Sequence, residues 1–165
     1  MNGREAISRE LKSTQRFAGW YIEDLADEDL LVRPVPGANH IAWQLGHLIL
    51  AEQSMIGAQS LAGVSWPELP AGFREQHAKA KTTDTSNTGY ASKTQYLDLF
   101  SKTRKATIAA LLALSDADLE QPSKGEMAKN APQLGDMFLL QANHTLVHVG
   151  QFTIVRRKLG KPVLF

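Results

Sequence analysis

The chain contains no cysteine. That absence excludes a thiol nucleophile, a disulfide framework and thiolate metal ligands, and it fits a reducing compartment. An excess of charge of either sign is also missing. The 165 residues carry a formal net charge of +1, with Lys and Arg scattered rather than gathered in a block. Nucleic acid is therefore not an expected partner. No apolar run approaches the ~20 residues that span a bilayer. The polar stretch 1–10 has no signal-peptide core. A cytoplasmic protein without a membrane partner is expected. Several catalytic signatures are absent too: a Gly-rich phosphate loop, a Gly-x-Ser-x-Gly elbow and a His-Glu-x-x-His metalloprotease motif.

What is present is helical periodicity, in a length that suits one domain over residues 1–165. From residue 4 to 25, Ile7, Leu11, Thr14, Ala18, Tyr21, Ile22 and Leu25 fall on one face. The two prolines and the glycine in Pro34-Val35-Pro36-Gly37 break the pattern. A second helix is expected from residue 40 to about 61, with Asn39 as its N-cap. His40, Trp43, Gln44, Leu50, Ala51 and Ser54 share the face of His47. A long connector then occupies residues 63–92. It is turn-rich at 66–73, can form a short helical turn at 72–80 and is polar at 82–88, so a solvated loop is expected there. Connectors of this length often cover a site.

Ser92 opens a third helix, with Gln95 completing a capping box. Its inner face is Tyr96, Phe100, Thr103, Thr107, Ala110, Leu111 and Leu114. Pro132 suits the first position of a last helix that runs to Leu159, ahead of Gly160 and Pro162. That helix is apolar on two stripes, one carrying His144 and His148 and the other Leu139, Ala142, Leu146 and Val149. Both stripes need cover. The bundle core supplies one; the connector, the tail 163–165 or a second subunit supplies the other. Four helices without a strand or a repeat predict an all-α four-helix bundle with a long connector between helices 2 and 3.

His144 and His148 are four residues apart, which stacks both rings on one helix face. His47 lies on the inward face of another helix. Three neutral imidazoles leave positions open on a divalent ion, a catalytic rather than a structural pattern. Such a shell suits Zn, Ni, Cu, Co or Fe. An open position lowers the pKa of bound water or of a substrate heteroatom. The competing reading is a metal-free core in which these histidines bond to Gln44, Gln151, Ser54 or Thr103. Gln44, Ser54, Tyr21 and Gln151 are candidate polar groups of a pocket. Glu52, five residues past His47, points in a poor direction for a general base. His40 lies two turns before His47 and is expected at the helix start or the site rim. His77 is expected to be exposed or packed against its loop, with a residue of a lid over the site as the alternative.

The stretch Pro34-Val35-Pro36-Gly37-Ala38-Asn39-His40-Ile41-Ala42-Trp43-Gln44-Leu45-Gly46-His47 resembles the helix-2 signature of the DinB-like (DNA-damage-inducible) family. His144-x-x-x-His148-x-Gly-Gln151, followed by Val155-Arg156-Arg157-Lys158-Leu159-Gly160-Lys161-Pro162, resembles its C-terminal signature. The resemblance implies a DinB/YfiT-like bundle, a divalent metal (Zn, Ni or Fe) on His47, His144 and His148, and a homodimer. It implies a metal-dependent transferase or hydrolase acting on a small molecule, with a low-molecular-weight thiol as cosubstrate in some relatives. The alternative is a non-enzymatic, stress-related protein that binds metal or a small molecule. Val149 stands where family members often carry Arg.

Overall fold

The structure, a computed structural model, describes residues 2–79 and 86–164. Its helices are α1 (Gly3–Ile22), α2 (Ile41–Gly57), the one-turn α3 (Phe73–Gln76), α4 (Lys93–Leu112), the one-turn α5 (Asp116–Leu119) and α6 (Leu134–Lys158). Short 3₁₀ turns stand at Asp29–Leu31 and Glu126–Lys129. Among the described residues no strand forms; one isolated bridge pairs Pro122 with Gln133. No helix among them is long and apolar enough to cross a membrane.

The apolar periodicity of α1 becomes burial: Ile7, Leu11, Thr14, Ala18, Ile22 and Leu25 are all buried, with Tyr21 half-buried. The capping box at the start of α4 forms as Ser92 and Gln95 require. Each buried Leu, Ile or Phe contributes about 1.5–3 kcal/mol relative to exposure. Those residues form two apolar clusters, one around Ile22, Leu45, Phe100 and Phe152, the other around Leu11, Ile56, Leu111 and Phe138.

Helix α1 packs on α6 and α4, and α2 packs on the same two, so consecutive helices lie diagonally across the bundle. Their directions follow from the contacts. Gln44 meets His148 while Met55 meets Gln141, so α2 and α6 are antiparallel. Glu52 and Gln53 meet Arg104 and Thr103, and Gly46 and Tyr96 both touch His77, so α2 and α4 are parallel. Helices α1 and α6 also run parallel: Tyr21 meets Arg156 at one end, and Gly3 and Gly135 both meet Leu119 at the other. A parallel neighbour demands a return trip. The connector after α2 must travel back along the bundle before α4 can start, which is why it is long.

Three boundaries differ from the sequence expectation. The N-cap of α2 is His40, not Asn39: its Nδ1 accepts the Trp43 N–H at 3.1 Å, while the Asn39 carbonyl accepts from Gln44. Helix α2 stops at Gly57 because the chain turns through Ser60 at φ +55°. Helix α6 starts at Leu134, since the Pro132 carbonyl accepts from the Ser123 N–H at 2.9 Å and Gln133 joins the bridge to Pro122. The helical turn expected at 72–80 is the single turn of α3, Phe73–Gln76, and residue 80 lies outside the described residues. Of the polar stretch at 82–88, residues 82–85 lie outside the described residues, as does Phe165 of the tail.

Candidate metal centre

The antiparallel pair α2 and α6 brings His47, His144 and His148 together. One ring nitrogen of each lies within 4.8 Å of the others. Nε2 of His144 and Nε2 of His148 are 3.1 Å apart. Nitrogens bound ~2.0–2.1 Å from one tetrahedral ion lie roughly 3.3 Å from each other, so this pair already has ligand spacing. The His47 ring is held by a stack on Trp43, with centroids 4.9 Å apart and planes 8° apart.

One hydrogen-bond chain orients His148. The Gln44 amide donates from Nε2 to the Asn39 carbonyl at 2.9 Å, which turns its Oε1 toward α6. That oxygen accepts from His148 Nδ1 at 2.8 Å. A proton on Nδ1 leaves the Nε2 lone pair free and aimed at the cluster. This is how metal-bound imidazoles are usually supported. Burial, first, and the neighbouring rings hold His148 down at about 3. Burial also pushes His47 down to about 4, with His144 and Lys79 adding to it, and lowers His144. All three rings are therefore neutral near pH 7, as ligands must be.

The cluster opens on a cleft of about 540 Å³ between α2 and α6. Leu50, Ala51, Met55, Met137 and Leu140 wall it, and Lys79 and Lys124 line it. Of the pocket groups expected from sequence, Gln44 touches His148 and Ser54 lines the cleft. Tyr21 lies away from it, against Trp20 and Arg156, and Gln151 is exposed outside its lining. Thr103 bonds to Gln53 rather than to a histidine. Glu52 faces away from the cleft and pairs with Arg104 at 2.9 Å.

His77 is not exposed as a loop residue would be. It is 1 % exposed, with Nδ1 bonded to the Phe73 carbonyl and Nε2 to the Tyr96 hydroxyl, both at 2.7 Å. Burial lowers the His77 pKa and raises that of Tyr96. His40 is likewise buried at the start of α2, edge-on to Tyr90, and is held by burial at about 4. Of the polar connector side chains that line the cleft, His77 takes the lid alternative, and Lys79 is not singled out by the sequence because nothing local marks a loop side chain that docks on a distant helix.

The family model of the DinB superfamily matches residues 10–152. The chain belongs to the DinB superfamily. It is similar in fold to YfiT from Bacillus subtilis, described as a probable metal-dependent hydrolase with an unusual four-helix bundle topology. That match has TM-score 0.70 and 17% identity, covering 96% of this chain and 89% of that one. A conserved protein of Enterococcus faecalis matches with TM-score 0.70 and 13% identity over 98% and 99% of the two chains. A DinB-like protein from Bacillus cereus matches with TM-score 0.62 and 21% identity over 94% and 91%. No curated protein matches the chain. In this DinB-superfamily chain Val149 is buried in the core beside Phe152 and contributes nothing to the cleft lining.

Proposed function

We propose that this protein is a metal-dependent enzyme of the hydrolase or thiol-transferase class, acting on a small molecule in the cleft between α2 and α6. His47, His144 and His148 are its metal ligands. The observation that carries the reading is the Asn39–Gln44–His148 chain, which fixes the tautomer a ligand needs and aims it at two further imidazoles. In a metal-free core the same His148 lone pair would accept from His144 Nε2–H at 3.1 Å, and the third imidazole, His47, is what such a pair does not need. Zn, Ni and Fe all suit the donor set. When bound, such an ion supplies a Lewis acid that lowers the pKa of a water or thiol at its open position.

The chain's own residues do the rest. Gln44 and Trp43 orient two of the ligands, and the apolar walls exclude water from the bound molecule. Among the described residues lining the cleft, the single carboxylate is Glu126, which sits beside the C-terminal end of α2 and far from the histidines. With no carboxylate base at hand, a nucleophile whose own acidity is raised fits best. The description of YfiT as a probable metal-dependent hydrolase supports the same class.

A homodimer is part of this reading. Leu139, Leu146, Val147 and Ile154 are exposed along one stripe of α6, and Val147 is 60 % exposed. Val147→Lys is expected to shift the protein toward monomer in light scattering. The reducing cytoplasm suits a chain without cysteine.

The deciding experiment is elemental mass spectrometry of untagged protein beside a His144→Ala/His148→Ala variant. About one ion per chain, absent from the variant, is expected. No metal in either, even after Zn or Ni is added, would overturn the reading. A large fall in melting temperature on chelation would point instead to a structural ion.

A further inference from the structure

The cleft is lopsided in charge. At one end stand three imidazoles and the ammonium of Lys79, close enough for its charge to reach both His47 and His144. At the other end the carboxylate of Glu126 is offset by the ammonium of Lys124, whose backbone N–H donates to Gln59 Oε1 at 2.8 Å, and Gly125 abuts Ala58, so the uncompensated cation of the lining is Lys79. The one acid of α2, Glu52, is sealed against Arg104 in the core. Between the two ends, Leu50, Met55, Met137 and Leu140 make an apolar groove. From His47 to Ala58 that groove follows α2 for three turns, roughly 16 Å.

The fold fixes where Lys79 stands. His77, two residues before it, is held through both ring nitrogens by the Phe73 carbonyl and the Tyr96 hydroxyl. Its ring fills a notch that exists only because Gly46 has no side chain: a Cβ there would lie 2.1 Å from His77 Cδ2. Gly46 directly precedes His47. The connector is thus pinned to the helix that carries the first histidine, and Lys79 emerges beside it.

We infer that the cleft takes an elongated apolar molecule bearing one anionic group. The anionic head sits at Lys79 and the histidines, and the apolar body lies along Leu50, Met55, Met137 and Leu140. Methionine walls accommodate varied body shapes, because the thioether chain is flexible and polarizable. The inference deepens the metal-site reading and rests on it: three neutral ligands leave the charge of a bound ion uncompensated, so that end attracts an anion.

Octanoate, 1-octanol and octylamine share a chain length and differ in head-group charge. Each is titrated calorimetrically into zinc-loaded wild type and into Lys79→Glu, with zinc content and melting temperature measured on the same samples. Octanoate is expected to bind the wild type. Octanol, octylamine and the headgroup-only control acetate bind about tenfold more weakly or not at all, and Lys79→Glu weakens octanoate about tenfold while keeping its zinc and its melting temperature. Equal binding of the three octyl compounds overturns anion recognition. Octanoate binding untouched by Lys79→Glu overturns the place given to Lys79. A zinc-loaded protein that ignores octanoate overturns the inference and leaves the metal reading standing. A protein that takes up no zinc overturns the metal reading, and the head-group placement with it.

Discussion

Of the polar clusters that interrupt the apolar core, two are built on opposite plans. Arg104 lies between the two apolar clusters, on α4, and all five of its N–H donors are used. Nε and Nη2 donate to Glu52 Oε2 at 3.1 and 2.9 Å, and Nη1 donates to the Leu11 carbonyl and Thr14 Oγ1 at 2.8 and 3.1 Å. The second Nη2 hydrogen reaches Thr145 Oγ1 at 2.9 Å, and Thr145 passes its own proton to the Gln141 carbonyl. All four long helices contribute, and both charged side chains are sealed, at 0 and 2 % exposure. The histidine cluster carries no charge and is not closed in this way. His148 is satisfied on one nitrogen and presents the other to His144, over a cleft. A cluster that answers all of its donors, with Glu52 Oε1 the one atom left without a partner, specifies the fold. One that gathers three neutral imidazoles beside a cleft has room for a ligand that the sealed ion pair lacks.

That contrast can be broken most forcefully at Arg104. Arg104→Met leaves the Glu52 carboxylate buried without its partner and should destabilise the protein by about 3–5 kcal/mol in urea denaturation. Replacing both partners, as Arg104→Met with Glu52→Leu, should recover most of that loss. Metal uptake by the folded fraction should be unchanged in either.

Acid comes next, and it acts on the histidines. Burial holds His40 and His47 at about 4 and His148 at about 3, below the usual 6.5. The unfolded chain takes up protons below pH 6.5 that the folded chain refuses. Their contribution to stability is therefore fully present above about pH 6.5 and is lost as pH falls through 4 toward 3. Urea midpoints of chelator-treated protein should fall across that range, whereas metal affinity of the folded protein should hold until its rings charge near 4.

Gly46→Ala tests the pin between connector and α2. The added Cβ meets the His77 ring at 2.1 Å, and the ring is held at both nitrogens, so it has little room to give. Thermal unfolding should report a loss of roughly 1–3 kcal/mol. The smallest effect on the fold is expected at Gln44. Gln44→Ala removes the acceptor that orients His148, and competition with a chelator should show metal affinity lower by roughly 10–100-fold. An unchanged affinity would mean the hydrogen-bond chain serves the core alone.

Much of this was legible in the sequence. The α1 stripe, the Ser92–Gln95 box and the placement of three histidines on inward faces follow from local periodicity, and periodicity survives folding. What was not legible is what depends on distant partners. Arg104 lies on the stripe of Phe100, Thr107 and Leu111, and an arginine there was a sign of a buried pair; only the fold reveals Glu52 opposite it. His77 reads as a loop histidine until Gly46 and Tyr96 arrive from two other segments. His40 displaces Asn39 as cap because the helix begins at Ile41, which puts His40 Nδ1 in reach of the Trp43 N–H. The relative directions of helices are likewise set by connector reach and not by any residue pattern.

The parallel docking of α1 on α6 and the long return of the connector bear on the order in which the molecule is made. Nearly a hundred residues separate His47 from His144 along the chain. A nascent protein emerging from the ribosome exposes the first imidazole long before the other two exist. The α1 surface that α6 will cover must also wait for the last helix to be synthesised. The trio of rings therefore cannot assemble before α6 has been made, so an ion held by all three is captured only after that point.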